Sequence, residues 1–330
     1  MVKRVSVLVA VHNSAEWLPR CLDSLCAQSY GNIEVVCVDD ASVDGSSAII
    51  DDYCAKYDFV KKVTLVVNSG PAVARNEAFR VCTGDYITIL DSDDWFSDDA
   101  LERAVAVLDK HQDTASVLLR MVYHDEATGD ERDFVNRCST DVLDGEEAMR
   151  LALDWDIHGL YVARRELYEN YPFDTASFLY SDDNTARRHY LHSGKVRFCD
   201  GVYYYFQRIG SMMHNPGIHY ADWMEATASL KRMLVEEQQP DSYVNHIEAR
   251  LWQNIVAVAG YYCRYGHMLT KEQRASLLVR IEKHHAAAET HRLPLSLKMK
   301  FGFVPFKRCF ALFMMQARIY FYLRKAIKGI

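Results

Sequence analysis

The sequence predicts an α/β fold, with a Rossmann-like, mostly parallel sheet flanked by helices and a helical C-terminal extension. Three observations carry this. The first 125 residues alternate short β-rich runs with stretches of helical periodicity. The runs end in polar residues, and from about His219 onward only long helical patterns remain.

Residues 5–11 and 33–38 are apolar runs of strand length, and 63–67 and 86–90 repeat the pattern. Between them, residues 16–28 place Trp17, Cys21, Leu22 and Leu25 on one helical face, and 46–57 read as a second helix. Residues 71–82 form a third helix, with Pro71 in the first turn where its missing N–H does little harm. Residues 98–110 form a fourth, with an acidic first turn. Residues 116–123 read as a further strand, after which the pattern loosens: 145–153 is helical, 159–162 is short and apolar, and 196–207 carries the run Tyr203-Tyr204-Tyr205-Phe206. Repeated βαβ units imply parallel strands covered on both faces. The long helical patterns are 221–237, 243–262 and 271–289. The division expected is 1–217 as an α/β domain, 218–290 as a helical region, and 291–330 as a basic amphipathic tail.

With 330 residues, 49% hydrophobic and 25% charged, the chain is long enough for one large α/β domain with an appendage. Its nine cysteines form no Cys-x-x-Cys pair, which predicts reduced core thiols rather than a zinc site or disulfide framework. The N-terminus enters a strand at once and no apolar run reaches about 18 residues, so neither a secretory signal nor a spanning helix is expected. The net charge of −7 is divided unevenly: nine of the 38 Lys/Arg and none of the 45 Asp/Glu lie from Thr290 on, leaving −16 on the remainder. An acidic body argues against nucleic-acid binding. The basic tail, interleaved with Phe301, Phe303, Phe306, Phe310, Phe313 and Tyr320, suits a helix lying on an anionic membrane surface; docking on the chain's own acidic body is the alternative.

In an open parallel sheet, ligands bind beyond the carboxyl ends of the strands. Here those ends are His12-Asn13, Asp39-Asp40, Asn68-Ser69-Gly70 and Asp91-Ser92-Asp93-Asp94. Three carboxylates within residues 91–94 repel one another unless a cation or donor groups sit among them. A hard divalent cation carrying a diphosphate is the natural occupant; an acidic turn capping the helix that starts near Ser97 is the plainer reading.

In order and spacing, these elements resemble family 2 glycosyltransferases, which have the GT-A fold and use nucleotide sugars. Val7-Leu8-Val9-Ala10-Val11-His12-Asn13 is similar to the family's first strand and turn. Val38-Asp39-Asp40-Ala41-Ser42 resembles its Val-Asp-Asp-Gly-Ser element, and Asn68 to Asn76 its Asn-x-Gly-x-x-x-Ala-Arg-Asn. Asp91-Ser92-Asp93 resembles the metal-binding Asp-x-Asp, Asp182-Asp183 the later Glu-Asp, and Arg208-Ile209-Gly210-Ser211 with His214 the Arg-x-Gly-Ser segment. The resemblance implies a base site at Val11, His12, Asp39 and Asp40, with Asn68, Gly70, Arg75, Asp91 and Ser92 completing the nucleotide-sugar site. It further implies Mn²⁺ or Mg²⁺ on Asp93 and Asp91, with His214 as a further ligand or phosphate contact, and Asp183 as the base of a single inverting displacement. Capping is the bland alternative for Asp39 and Asp40 (into the helix at Ser46) and for Ser181 or Asp182; for Arg75 it is a surface salt bridge. Ala10, His12 and Ala41 stand where the family often has Pro, Tyr and Gly. The Gln-x-x-Arg-Trp segment of processive synthases is missing, which points to a nonprocessive enzyme of bacterial cell-surface polysaccharide assembly. The expected donor is a UDP-sugar and the acceptor a glycan or lipid-linked glycan, handled in the cytoplasm or at the inner membrane face, with 1–217 as the catalytic domain and 218–290 serving the acceptor side or self-association. A sugar-nucleotide nucleotidyltransferase and a non-catalytic nucleotide-sugar-binding scaffold remain as alternatives.

Overall fold

The computed structural model describes residues 2–208, 217–300 and 302–328. The chain forms two compact units: Met1–Phe178 with Asp182–Ser211, and Leu179–Ser181 with Met212–Ile330.

In the first unit the elements run β1 (Val5–Val11), α1 (Leu18–Cys26), β2 (Ile33–Asp40), α2 (Ser46–Lys56), β3 (Val60–Leu65), α3 (Pro71–Val81), β4 (Tyr86–Ile89) and β5 (Trp95–Phe96). They continue with α4 (Ala100–Lys110), β6 (Thr114–Asp125), β7 (Glu131–Asp133), β8 (Val142–Asp144), α5 (Gly145–Leu153), β9 (Tyr161–Arg164), α6 (Arg165–Asn170), α7 (Asp182–Leu191) and β10 (Lys195–Gln207). The ten strands among the described residues belong to one sheet, in the order β3-β2-β1-β4-β9-β6-β10-β5, with β7 on β6 and β8 on β10.

The half of the sheet read from the βαβ pattern is parallel throughout, β3 through β4. Its far half is mixed, because β9 runs antiparallel to both β4 and β6. An apolar run such as Tyr161-Val162-Ala163 signals burial on both faces but carries no direction, so sequence alone left this reversal hidden. β3 starts at Val60, three residues before the apolar run at 63–67, and Val66 and Val67 are exposed. An edge strand takes its bounds from pairing with β2, here Val35 with Val60, rather than from its own hydrophobicity. Between the sheet and its helices lies a core of Val7, Val9, Leu18, Leu22, Leu25, Val35, Leu101, Leu108 and Val117. Trp17, expected on the buried face of α1, is instead half-buried, with Leu18 in the core. All nine cysteines are free, Cys21, Cys37 and Cys82 being buried.

At the amino end of β2, Glu34 is buried yet fully partnered. It accepts from Ser6 Oγ at 2.6 Å, Gly84 N at 2.8 Å, Thr83 Oγ1 at 3.0 Å, the Thr83 amide, and Lys61 Nζ at 2.7 Å. Burial pushes its carboxyl up, but Lys61, Ser6 and Thr83 outweigh that and hold it down at about 2.

The second unit is helical: α8 (Asp222–Glu236), α9 (Asp241–Tyr265), α10 (Lys271–Ala287), α11 (Leu295–Lys298), α12 (Phe303–Arg308) and α13 (Phe310–Lys328). Its core joins Met224, Leu251, Trp252, Ile255, Leu277 and Ile281 to Leu297, Phe303, Phe306, Phe313 and Met314. Part of the basic tail is therefore core, and the tail shares it with α8–α10. No described helix is long and apolar enough to cross a membrane.

Candidate active site

The parallel register sets Val11 beside Asp39, so the carboxyl ends of β1 and β2 finish at one level. The chain then turns sharply, Asn13 and Ala41 having φ of 50° and 56°. Asn tolerates that left-handed region; Ala41 occupies a conformation that glycine takes without penalty. His12 fastens three strand ends together. Its Nδ1–H donates to the Asp40 carbonyl at 2.7 Å, and its Nε2 accepts from Asn13 and Asn68 side-chain amides at 3.0 Å each. Asp40, buried, accepts from the backbone N–H of Ser69 and of Gly70 at 2.8 Å each. Gly70 has φ of +90°, and a Cβ there would come within 3.1 Å of the Phe178 ring. Asp39 accepts from Ser42 N at 3.0 Å; burial raises its carboxyl, but hydrogen bonds from Ser42 and Ser47 leave it below the usual range. The start of α2 is served by Asp44, which accepts from Ser46 N at 2.9 Å, so neither Asp39 nor Asp40 is its cap.

Arg75 lies in the first turns of α3 and is only 2% exposed. It grips two carboxylates, Asp91 Oδ1 at 2.5 Å with Nη2 and Asp182 Oδ2 at 2.9 Å with Nη1. Burial alone would weaken its charge; Asp91 and Asp182 more than reverse that. The guanidinium is buried although both carboxylates are partly exposed, so this is more than a surface salt bridge, and it joins the end of β4 to the first residue of α7. One position on, Asn76 bonds both ways to Phe173, donating to its carbonyl and accepting from its amide at 3.0 Å each, a structural role.

The acidic cluster is partitioned. Asp94 is buried and accepts from Tyr203 Oη at 2.6 Å and Phe206 N at 2.7 Å. Burial, then repulsion from Asp93 and Asp91, pushes its carboxyl well up. Asp93 is raised as well, by burial first and by Asp91 next, against the opposing pull of Arg208, whose Nε lies 2.8 Å from Asp93 Oδ2. Ser92 Oγ lies 2.7 Å from Ser14 Oγ. Arg20 donates to the Asp93 carbonyl at 2.8 Å while its guanidinium lies 3.8 Å from the Trp95 ring centre and 4.1 Å from that of Phe206. Arg208 likewise stacks on Trp17 at 4.2 Å. None of the cluster caps α4, whose N-cap is Asp99.

Asp183 follows in the first turn of α7, which begins at Asp182. Its carboxyl is pushed up to about 7, chiefly by burial, with Asp182 adding to the rise and Arg187 and Arg75 opposing it. The nearest guanidinium nitrogen of Arg187 is 4.0 Å away, too far for a hydrogen bond.

Among the described residues no group of three or more His, Cys, Asp or Glu side chains is assembled to hold a metal. His214 lies outside the described residues. What Asp91 and Asp93 present is a pair of hard oxygen donors that repel each other, each with one oxygen held by an arginine. Such a pair fits Mg²⁺ or Mn²⁺ provided that diphosphate oxygens and water fill most of the coordination sphere. The structure thus brings Asp40, His12, Asn68 and Gly70 together at one set of strand ends, and ties Asp91 to Asp182 through Arg75. Arg20, the role of Tyr203 and the role of Asp182 went unread in the sequence, and Arg208 was noted only within its motif; their partners lie far away in sequence, so no local spacing signals them.

A mixed α/β sheet whose parallel half gathers polar and acidic groups beyond its carboxyl edge is a frame suited to binding a nucleotide. The chain belongs to Glycosyl transferase family 2, whose family model matches residues 6–176, and it is a glycosyltransferase. It is 29% identical over 224 residues to the glycosyltransferase GlyG of Streptococcus pneumoniae, covering 64% of this chain and 74% of that one. It is 40% identical over 103 residues to the poly(ribitol-phosphate) beta-glucosyltransferase of Bacillus spizizenii, covering 30% of this chain and 16% of that one. The fold is similar to that of S. aureus TarS 1–349 in complex with UDP-GlcNAc, with a TM-score of 0.70 at 18% identity over 99% of this chain and 92% of that one. This is the GT-A arrangement.

Proposed function

We propose that this chain is a metal-dependent inverting glycosyltransferase that moves a sugar from a UDP-sugar to a glycan or lipid-linked glycan acceptor in cell-surface polysaccharide synthesis. The observation that carries the reading is the Asp91–Arg75–Asp182 bridge, which couples the acidic cluster to the helix turn bearing Asp183. The poly(ribitol-phosphate) substrate of one relative and the UDP-GlcNAc of the structural neighbour support the choice of acceptor class and donor.

Val11, His12, Asp39 and Asp40 would seat the base, Asp40 keeping acceptor capacity on a carboxylate already fixed by two backbone amides. Asn68, Gly70 and Ser92 line the approach to the ribose and diphosphate. When bound on Asp93 and Asp91, Mn²⁺ or Mg²⁺ would offset charge building on the departing diphosphate. The structure's own groups do the rest. Arg75 holds Asp91 in place. Asp183 takes the proton of the acceptor hydroxyl as that oxygen bonds to the anomeric carbon, while the bond to the diphosphate oxygen breaks and its electron pair leaves with UDP. One displacement inverts the anomeric centre. A carboxyl at about 7 is half ionised near neutrality, where a base is most effective.

A panel of nucleotide sugars, assayed with and without Mn²⁺ alongside calorimetry with UDP, tests the reading. Metal-dependent UDP binding with turnover of a UDP-sugar is expected. UDP binding without transfer or donor hydrolysis would favour a scaffold, and pyrophosphate-releasing turnover of UTP and a sugar phosphate a nucleotidyltransferase.

A further inference from the structure

α13 is apolar on two sides. One stripe, Phe313 and Met314 with Phe310, packs into the core of the helical unit. Beside it Phe321 lies so close to α9 that a Cβ on Gly260 would fall 2.5 Å from its ring, so the inner face of the helix is tightly seated. The other stripe, Leu312, Met315, Ile319, Tyr322 and Leu323, follows helical spacing and is 38–75% exposed. A helix apolar all round is ordinarily buried all round; half of this one faces outward.

Next to that stripe is a groove of about 710 Å³ between the end of α9 and α13, bordered by Arg264, Tyr265, Met268, Arg318, Tyr322 and Leu323. Both arginines are exposed, and Arg264 lies over the Phe321 ring at 5.1 Å. Among the described residues, Lys300, Lys307, Arg308, Arg264 and Arg318 meet no carboxylate at ion-pair distance; in contrast, Arg292 at the start of the tail is paired with Asp241 and Glu289. The sequence from Thr290 on holds nine Lys/Arg and no acid.

We propose that the outer face of α13 and the groove at Arg264 and Arg318 form a docking surface for an anionic lipid leaflet. Leu312, Met315, Ile319 and Tyr322 enter the headgroup–acyl boundary, and the two arginines meet lipid phosphates. A second protein would also cover apolar surface, but unpaired cations without a single acid choose a uniformly anionic partner. The surface acts independently of the transfer chemistry, so a failure here leaves the proposed reaction untouched.

Flotation of the full chain with vesicles of phosphatidylcholine plus phosphatidylglycerol, and with phosphatidylcholine alone, tests the proposal. Flotation with the anionic vesicles only, weakened by salt, is expected. Ile319→Asp with Tyr322→Asp should abolish it, and Arg264→Glu with Arg318→Glu should reduce it about tenfold or more. Because all four side chains are exposed, thermal unfolding and UDP binding should stay at wild-type values, separating lost docking from lost fold. Absence of flotation with either vesicle, or equal flotation with both, would overturn the proposal. So would sedimentation velocity showing, without lipid, a wild-type dimer that the aspartate variant converts to monomer.

Discussion

Glu34, at the amino end of the central strands, and the acids Asp93, Asp94 and Asp183 are handled in opposite ways. At the amino end, Glu34 is buried but met by a lysine, two hydroxyls and two backbone amides, and is held down at about 2. Beyond the carboxyl end, Asp39 is also held below its usual range, but Asp93 and Asp94, and Asp183 in α7, are raised, by burial first and by neighbouring carboxylates next. Both ends sit on the same strands: Glu34 is the second residue of β2 and Asp40 its last. A satisfied charge fastens strands, whereas an under-satisfied one is left ready for a ligand or a proton. The lesson is that a buried acid is defined by what surrounds it.

The contrast breaks hardest at Asp183. Asp183→Asn should lower kcat by about 10³-fold while calorimetric UDP affinity stays at wild type; activity within tenfold of wild type rejects the base assignment. Arg75→Lys keeps the charge but cannot grip two carboxylates at once, and should lower kcat by about 10²-fold with the circular dichroism spectrum unchanged. An unaffected rate would mean that the bridge is structural only. Glu34→Gln should reduce stability by about 2 kcal/mol in urea titration and leave the donor KM alone; an unmoved midpoint would remove the claim that the amino end is the fastened one.

The pH response sharpens the comparison further. Glu34, depressed in the fold, contributes stability that is present above its ordinary pKa near 4.5 and is lost as pH falls toward about 2. Asp183, raised in the fold, works the other way. Its contribution is complete below 3.8 and is lost as pH rises through about 7. Asp183→Asn should therefore be slightly more stable than wild type at pH 8 and equal to it at acid pH, by thermal unfolding. In the active enzyme kcat/KM should rise with pH to a plateau above about 7. A flat profile from pH 5 to pH 9 contradicts a titrating base.

Much of the parallel half could be read in the sequence because each βαβ unit states its period and stop signals locally: β1 and α2 lie within the bounds that periodicity predicts. The polar strand ends were legible for the same reason, each closing an apolar run. What sequence could not reveal is who meets whom. Arg75 and Asp182 are 107 positions apart, Asp94 and Tyr203 109, Arg20 and Asp93 73. No local pattern records such pairs. The tail shows the same limit: its composition announced cations and aromatics, but only packing separates Phe313 and Met314 inside from Met315 and Ile319 outside.

Those long separations also bear on how the chain comes to fold during synthesis. The first 110 residues supply four parallel strands and the Asp91–Asp94 cluster, yet Arg75, Asn76, Asp93 and Asp94 each have a side-chain partner between Phe173 and Arg208. A nascent chain that stops short of Phe173 holds its sheet with the acids exposed to one another and the Arg75 guanidinium short of one anchor. Completion of the site is thus a late event, deferred until the ribosome has delivered a segment nearly a hundred residues downstream of the scaffold it serves.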